Sequence, residues 1–322
     1  MEPITLEPVD RVEVTTLIDN TTDLLLPRTS EVRRSAGLPP ASAVLEGGRG
    51  MSGLRAEHGF SALVTVTRGD DEHRILFDAG LTPTGLIENM RALEVDPGSI
   101  EAIVLSHGHA DHTTGLEGVI AALGRASLPV LIHPDFWTRR RIAIPGRDPR
   151  ELPSTSRRAL QDAGFRITEE RLPSFLFRDM VLITGEVDRT TPFEQGFATH
   201  QAHRHGRWEP DPLILDDQAL VVHVRDRGLL VMSGCGHAGI VNIVRYARKL
   251  TGIDRVAAVV GGFHLGGTLF EPLIGPTVEA LVELDPGLVL PAHCTGLAAV
   301  RALADRMGER FVQNAVGSTL VL

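Results

Sequence analysis

Ser106-His107-Gly108-His109-Ala110-Asp111-His112 puts four side chains able to hold a cation within six residues, from His107 to His112. Neutral imidazoles are good donors to zinc and related ions, and a carboxylate brings the charge that holds a second cation. Gly108 and Ala110 are small, so the larger side chains have room to converge. Residues 100–105 form a short apolar run after the chain break at Pro97-Gly98, which predicts a buried strand. Leu116–Leu123 predicts a helix. A ligand-rich loop between a strand and a helix is a metal site far more often than a chance cluster of histidines.

The rest of the chain predicts two runs of strands and helices. Residues 12–18 are rich in β-branched side chains and read as a first strand, ended by Asp19-Asn20. Residues 61–67 and 74–77 read as a hairpin about the polar stretch 68–72, ending at Asp78-Ala79-Gly80. Residues 84–93 carry Leu86, Ile87, Met90 and Leu93 at amphipathic-helix spacing. Further strands are expected at 129–133, 165–168, 180–184, 220–224, 229–232, 256–260, 288–290 and 318–322. Helices are expected at 240–250, at 277–284 and before the last strand. Residues 20–52 are rich in Pro, Gly, Ser and Arg and read as a long loop. Residues from about 134 to 215 hold many arginines and prolines, and read as a lid or insertion on a single domain spanning 1–322. This order suits an α/β (α+β) chain with two central sheets and helices outside, a four-layer αββα sandwich.

With 322 residues, 43% hydrophobic and 23% charged, the chain can bury a sizeable core, and 4% aromatics leave that core to Val, Leu, Ile and Ala. The formal net charge of −9 argues against a nucleic-acid binder, which needs a basic face. No apolar run reaches the length of a membrane span, and the start, Met1-Glu2-Pro3-Ile4, lacks the apolar stretch of a secretion signal. Cys235 and Cys294 make no disulfide framework and are expected to be reduced thiols. A cytoplasmic location is the expectation, with a small anionic substrate and no nucleic-acid or membrane partner. Assembly into a homo-oligomer is left open.

The run from His107 to His112 resembles the His-x-His-x-Asp-His signature of the metallo-β-lactamase superfamily. The resemblance implies the four-layer fold and two divalent metal ions, zinc first, with manganese or iron as alternatives. It gives His107 and His109 to one metal and Asp111 and His112 to the other, and makes Asp78 the residue that orients the ligand loop. Blocks at 57–59 (EHG), 77–80 (FDAG), 106–116, 184–186 (TGE), 233–240 (SGCGHAGI), 261–265 (GGFHL) and 291–296 (PAHCTG) carry the resemblance further. They look like the branch that includes archaeal dihydropterin–ribosylaminobenzene phosphate synthases. They span most of the chain and are specific for the branch, not for a substrate. By the same likeness His293 joins the second metal and His237 completes the first. Cys235 is the alternative ligand. It stands where many members have a bridging Asp, and a thiolate can ligate there. Asp216-Asp217 offers carboxylates too, though a solvated acidic turn is the plainer reading.

His264 and His58 are candidates for the pocket wall, where either would bind substrate or donate a proton. His200, His203 and His205 read as a solvated loop. Arg139-Arg140-Arg141 reads as a solvated face, able to grip a phosphate only if folded over the site. The expected chemistry is hydrolysis, or a related transfer, by a two-metal-activated water on a small anionic, phosphorylated molecule. Asp111 would orient the nucleophile, and His264 or His58 would protonate the leaving group. Three other readings stay open. One is a catalytically weak metal-binding ligand sensor, favoured by the missing bridging carboxylate. Another is a glyoxalase-type thioester hydrolase. The last is a two-iron redox relative, which would need an electron-transfer domain that the sequence does not show.

Overall fold

The computed structural model describes residues 3–124 and 127–322; Met1 and Glu2, part of the segment read for a secretion signal, lie outside it. Alternation along the strands sets the layers. In Asp71–Phe77, Ile75 and Phe77 face one core and Leu76 another. In Leu220–Val224, Leu220, Val222 and Val224 face that first core and Val221 a third. A strand that is apolar on both faces must be covered on both, so each sheet lies between the other sheet and a helical layer.

The first sheet has eight strands, in the order Val32–Arg34, Ser318–Val321, Arg11–Ile18, Ser61–Arg68, Asp71–Phe77, Ala102–Val104, Pro129–Ile132, Arg166–Glu169. The second has six, in the order Ser174–Leu176, Val181–Ile183, Leu220–Val224, Gly228–Ser233, Val256–Gly262, Leu288–Ala292. Val14, Val64, Ile75 and Phe77 meet Val222, Met232 and Val260 between them. Gly85–Ala92 and Leu116–Leu123 cover the outer face of the first sheet through Leu86, Met90, Leu116 and Val119. Ile240–Thr251, Glu271–Leu284 and Leu297–Met307 cover the second through Ile243, Tyr246, Leu281 and Leu303. The αββα sandwich expected from the element order is the fold observed.

Parallel pairing decides where the site lies. Asp71–Phe77 runs parallel to Ala102–Val104, while Gly228–Ser233, Val256–Gly262 and Leu288–Ala292 run parallel to one another. The C-terminal ends of parallel neighbours open at the same edge of their sheet. Register then pairs Ser233 with Gly261, and Gly262 with Ala292. The loops carrying Cys235, His264 and His293 therefore start side by side.

The structure differs from the sequence reading in three places. Residues 20–52 are not loop throughout, because Val32–Arg34 pairs with Ser318–Val321 at the edge of the first sheet. The helix expected from Thr277 begins at Glu271, with a proline in its first turn, where no intrahelical N–H is needed, and Pro276 inside it. Residues 134–215 are shared out. Arg166–Glu169 extends the first sheet, while Ser174–Leu176 and Val181–Ile183 extend the second. Only Arg140–Ile142, Arg150–Glu151, His200–Arg204 and Arg207–Pro210 make a separate small sheet, which lies against the ligand loop.

Candidate metal centre

Asp78 follows its strand with φ at 57°, a left-handed backbone that costs a non-glycine residue about 1 kcal/mol. The turn aims its carboxylate under the ligand loop. Oδ1 accepts from Ser106 N at 2.7 Å, and Oδ2 accepts from Ser106 Oγ and from His112 Nδ1, each at 2.7 Å. A carboxylate only accepts, so His112 carries its proton on Nδ1 and turns a bare Nε2 inward. Because the Ser106 proton goes to Asp78, Ser106 Oγ accepts from His107 Nδ1 at 2.9 Å, and His107 Nε2 is bare as well. His293 follows the same logic. Its Nδ1 lies 3.0 Å from Asn20 Oδ1, an oxygen identified by the Gly59 N–H that also donates to it. Asp19 accepts from the His293 backbone N–H at 2.8 Å. The Nε2 atoms of His107, His112 and His293 are buried without a hydrogen-bond partner among the described residues. Each such orphan is costly, and together they make a place for cations.

The other donors complete two neighbouring sets. His109 Nδ1 faces His237 Nε2 at 3.2 Å, and the donor atoms of His107, His109 and His237 all lie within 4.8 Å of one another. Asp111 Oδ2 is 3.2 Å from His293 Nε2 and 3.8 Å from His112 Nε2. Cys235 groups with His107 and His112, with His293 and Cys294, and with His237 and His264, so it lies between the two sets. These residues fit the two metal ions that the motif implies. Burial drives the His107, His109 and His237 imidazoles far below their ordinary range, which keeps them neutral donors. Burial opposes charge on Asp111 too, but His112 and His293 outweigh it and hold the carboxyl well below the usual range. At His112 burial is again outweighed, by Asp111 and Asp78, and its pKa rises to about 9. Two carboxylates beside one imidazole attract positive charge, which a metal ion supplies as well as a proton. Burial pushes the Cys235 thiol up, so a thiolate there needs a cation beside it.

The remaining candidates flank the centre. His264 lies beside His237, with ring centroids 4.1 Å apart and its Nδ1 buried and unpartnered. It lines a narrow cleft of about 20 Å³, room for about one water, bordered by Phe197, Phe263, Leu265, Phe270 and Leu273. His58 is exposed, with Nε2 3.5 Å from Asp111 Oδ2.

Three solvated readings are corrected in part: His205 and Arg139 are exposed as expected, and the others differ. His200 is fully buried, because its strand alternates and His200 and Ala202 point inward. Its Nε2 lies 3.0 Å from His109 Nε2. Asp216 and Asp217 are buried as well. Asp216 accepts from Gly108 N at 2.8 Å, and Asp217 accepts from Ala238 N at 2.8 Å. Arg140 is 2% exposed and committed to Asp211 and Asp216. Arg139 pairs with Glu151, and Arg141 with Gln201 and the Trp208 ring, so these arginines are not poised to grip a phosphate. Gly108 is small for a different reason from the one first given: a Cβ there would sit 2.2 Å from Phe136 O. The supports Asp19, Asn20 and Ser106 also escaped the sequence reading. Only the alternation of residues 200–204 could have flagged His200.

The sequence profile of the metallo-β-lactamase superfamily matches residues 55–249. The chain belongs to the metallo-β-lactamase superfamily. Within that superfamily it is 30% identical over 273 residues to a 7,8-dihydropterin-6-methyl-4-(β-D-ribofuranosyl)-aminobenzene-5'-phosphate synthase of Methanocaldococcus jannaschii, covering 82% of this chain and 90% of that one. An uncharacterised protein of the same organism is 33% identical, covering 82% of this chain and 93% of its own. A solved structure described as a metal-dependent hydrolase of the β-lactamase superfamily shares the fold, with a TM-score of 0.71 over 97% of this chain and 98% of that one at 24% identity.

Proposed function

We propose that the chain is a metal-dependent hydrolase, or a close group-transfer relative, acting on a small anionic molecule. One observation carries this reading: bare imidazole nitrogens converge with the Asp111 carboxylate, while the far nitrogens of His107, His112 and His293 are committed to fixed partners. We assign His107, His109 and His237 to one divalent ion and Asp111, His112 and His293 to a second, with Cys235 in reach of both. The imidazole-rich donor set suits zinc, with manganese or iron as alternatives. Such an ion pair supplies Lewis acidity and a water-derived nucleophile at neutral pH.

The chain's own residues supply the rest. Asp111, whose carboxyl lies well below the usual range, orients the nucleophile. His58, at the exposed mouth beside Asp111, protonates the leaving group. His264, beside His237 with its Nδ1 buried and unpartnered, binds a polar edge of the substrate. The archaeal relative is named as the synthase of an aminobenzene ribosyl phosphate, which favours a phosphorylated substrate and keeps group transfer beside hydrolysis.

The test is elemental analysis of wild type beside His109→Ala, followed by assay against phosphodiesters, phosphomonoesters and thioesters. About two ions per chain are expected in wild type. The variant should hold fewer and should lose turnover. Folded wild type that takes up no metal, even when zinc is supplied, overturns the proposal.

A further inference from the structure

The two ring nitrogens of His109 face different ways. Nδ1 looks toward His107 and His237, while Nε2 looks away, 3.0 Å from Nε2 of His200. Two ring nitrogens at that distance share one proton, and the far side of His200 decides who owns it. His200 Nδ1 lies 3.2 Å from the Asp211 carbonyl oxygen and 3.5 Å from Asp211 Oδ2. Both are acceptors. Neutral His200 therefore carries its proton on Nδ1 and offers a lone pair at Nε2. The proton between the rings then belongs to His109 Nε2, which leaves His109 Nδ1 bare and aimed into the centre.

The contacts continue round a closed circuit. Arg140 donates to Asp211 Oδ2 at 3.3 Å and to Asp216 Oδ1 at 2.5 Å. Asp216 accepts from Gly108 N at 2.8 Å. The circuit leaves the ligand loop at the His109 ring and returns to it at the preceding residue's backbone. His200, Asp211, Arg140 and Asp216 are each at most 4% exposed, so water does not compete for these bonds.

We propose that His200, carried by the small sheet, is a positioning residue that fixes the tautomer and direction of His109, so that docking of this sheet preorganises the first metal site. The proposal rests on the reading of His109 as a ligand through Nδ1.

The test compares wild type, His200→Leu, His200→Gln and His109→Ala by zinc affinity under chelator competition and by the visible spectrum of the cobalt(II)-loaded protein, with circular dichroism to confirm folding. His200→Leu should weaken one metal equivalent about 10–100-fold and alter the cobalt spectrum. His200→Gln, whose amide oxygen can accept from His109, should restore most of both. A folded His200→Leu with wild-type affinity and spectrum overturns the proposal. Full metal content in His109→Ala sinks instead the underlying assignment of His109. A measurement on wild type alone decides the matter if His200→Leu does not fold. Nitrogen-15 histidine shifts of the zinc-loaded protein should show His109 protonated on Nε2 and His200 on Nδ1; either opposite tautomer overturns the proposal.

Discussion

Asp78 does more for the centre than any donor in it. One carboxylate fixes His112 directly, His107 through Ser106, and the backbone of the loop that carries both. Asp78→Ala is expected to weaken metal binding about 10–100-fold, read by chelator competition, while every proposed ligand stays in the chain. Gly108→Ala should cost about 1–3 kcal/mol, read by denaturant melts, since the new methyl would press on the Phe136 carbonyl. The residues that converge here were legible in the sequence because metal chemistry demands particular residue types at close spacing. Their supports were not. Asn20, Ser106, Arg140 and Asp216 are common polar residues whose roles appear only when distant segments meet. His264 and His293 share with Asp78 a left-handed backbone, with φ of 46° and 47°. No sequence pattern announces that at a histidine.

The small sheet is held to the body by buried charge, not by an apolar face. Asp211 anchors it, with pKa lowered to about 2. Burial alone would raise that pKa, but His200, Arg140 and Arg204 outweigh burial. The folded pKa lies below the unfolded value of about 3.9, so the contribution to stability is complete above that pH and is lost as pH falls toward 2. Amide exchange in Arg140–Ile142 and His200–Arg204 should therefore rise between about pH 4 and pH 2 ahead of the central strands. Asp211→Asn should bring the same rise at neutral pH. An unchanged exchange pattern in that variant would deny Asp211 this role. Apolar strands bounded by turn signals, such as Leu220–Val224, were read from sequence to the residue. Short polar strands, Val32–Arg34 and Arg150–Glu151 among them, were missed, since so short a run shows no period and takes its conformation from its partner, whereas the apolar Ala102–Val104 and Val181–Ile183 were expected.

Across the whole molecule, the centre joins the two sheets. His107, Asp111 and His112 follow a strand of the first sheet, whereas His237 and His293 follow strands of the second. Cations held between them would tie the halves of the sandwich together. A metal present at about a thousand times its dissociation constant adds about 4 kcal/mol to stability. Chelation is thus expected to lower the melting temperature by roughly 10 °C in scanning calorimetry, at about 2–4 °C per kcal/mol for chains of this order. Restored zinc should reverse the loss, and an unmoved melting point would contradict a centre that ties the sheets. The layered fold itself was legible because it follows from alternation and element order, which a sequence displays openly.

Asp19 grips the backbone of His293 across 274 positions of chain, and the edge strand Ser318–Val321 pairs with Arg11–Ile18. A polypeptide growing from a ribosome presents the His107–His112 loop long before its last donor exists. Until then an early-captured ion meets an incomplete cage that lets it go. Stable loading would therefore wait until the stretch from residue 293 to residue 321 had been made, and a nascent chain stalled before it would hold a metal ion only weakly.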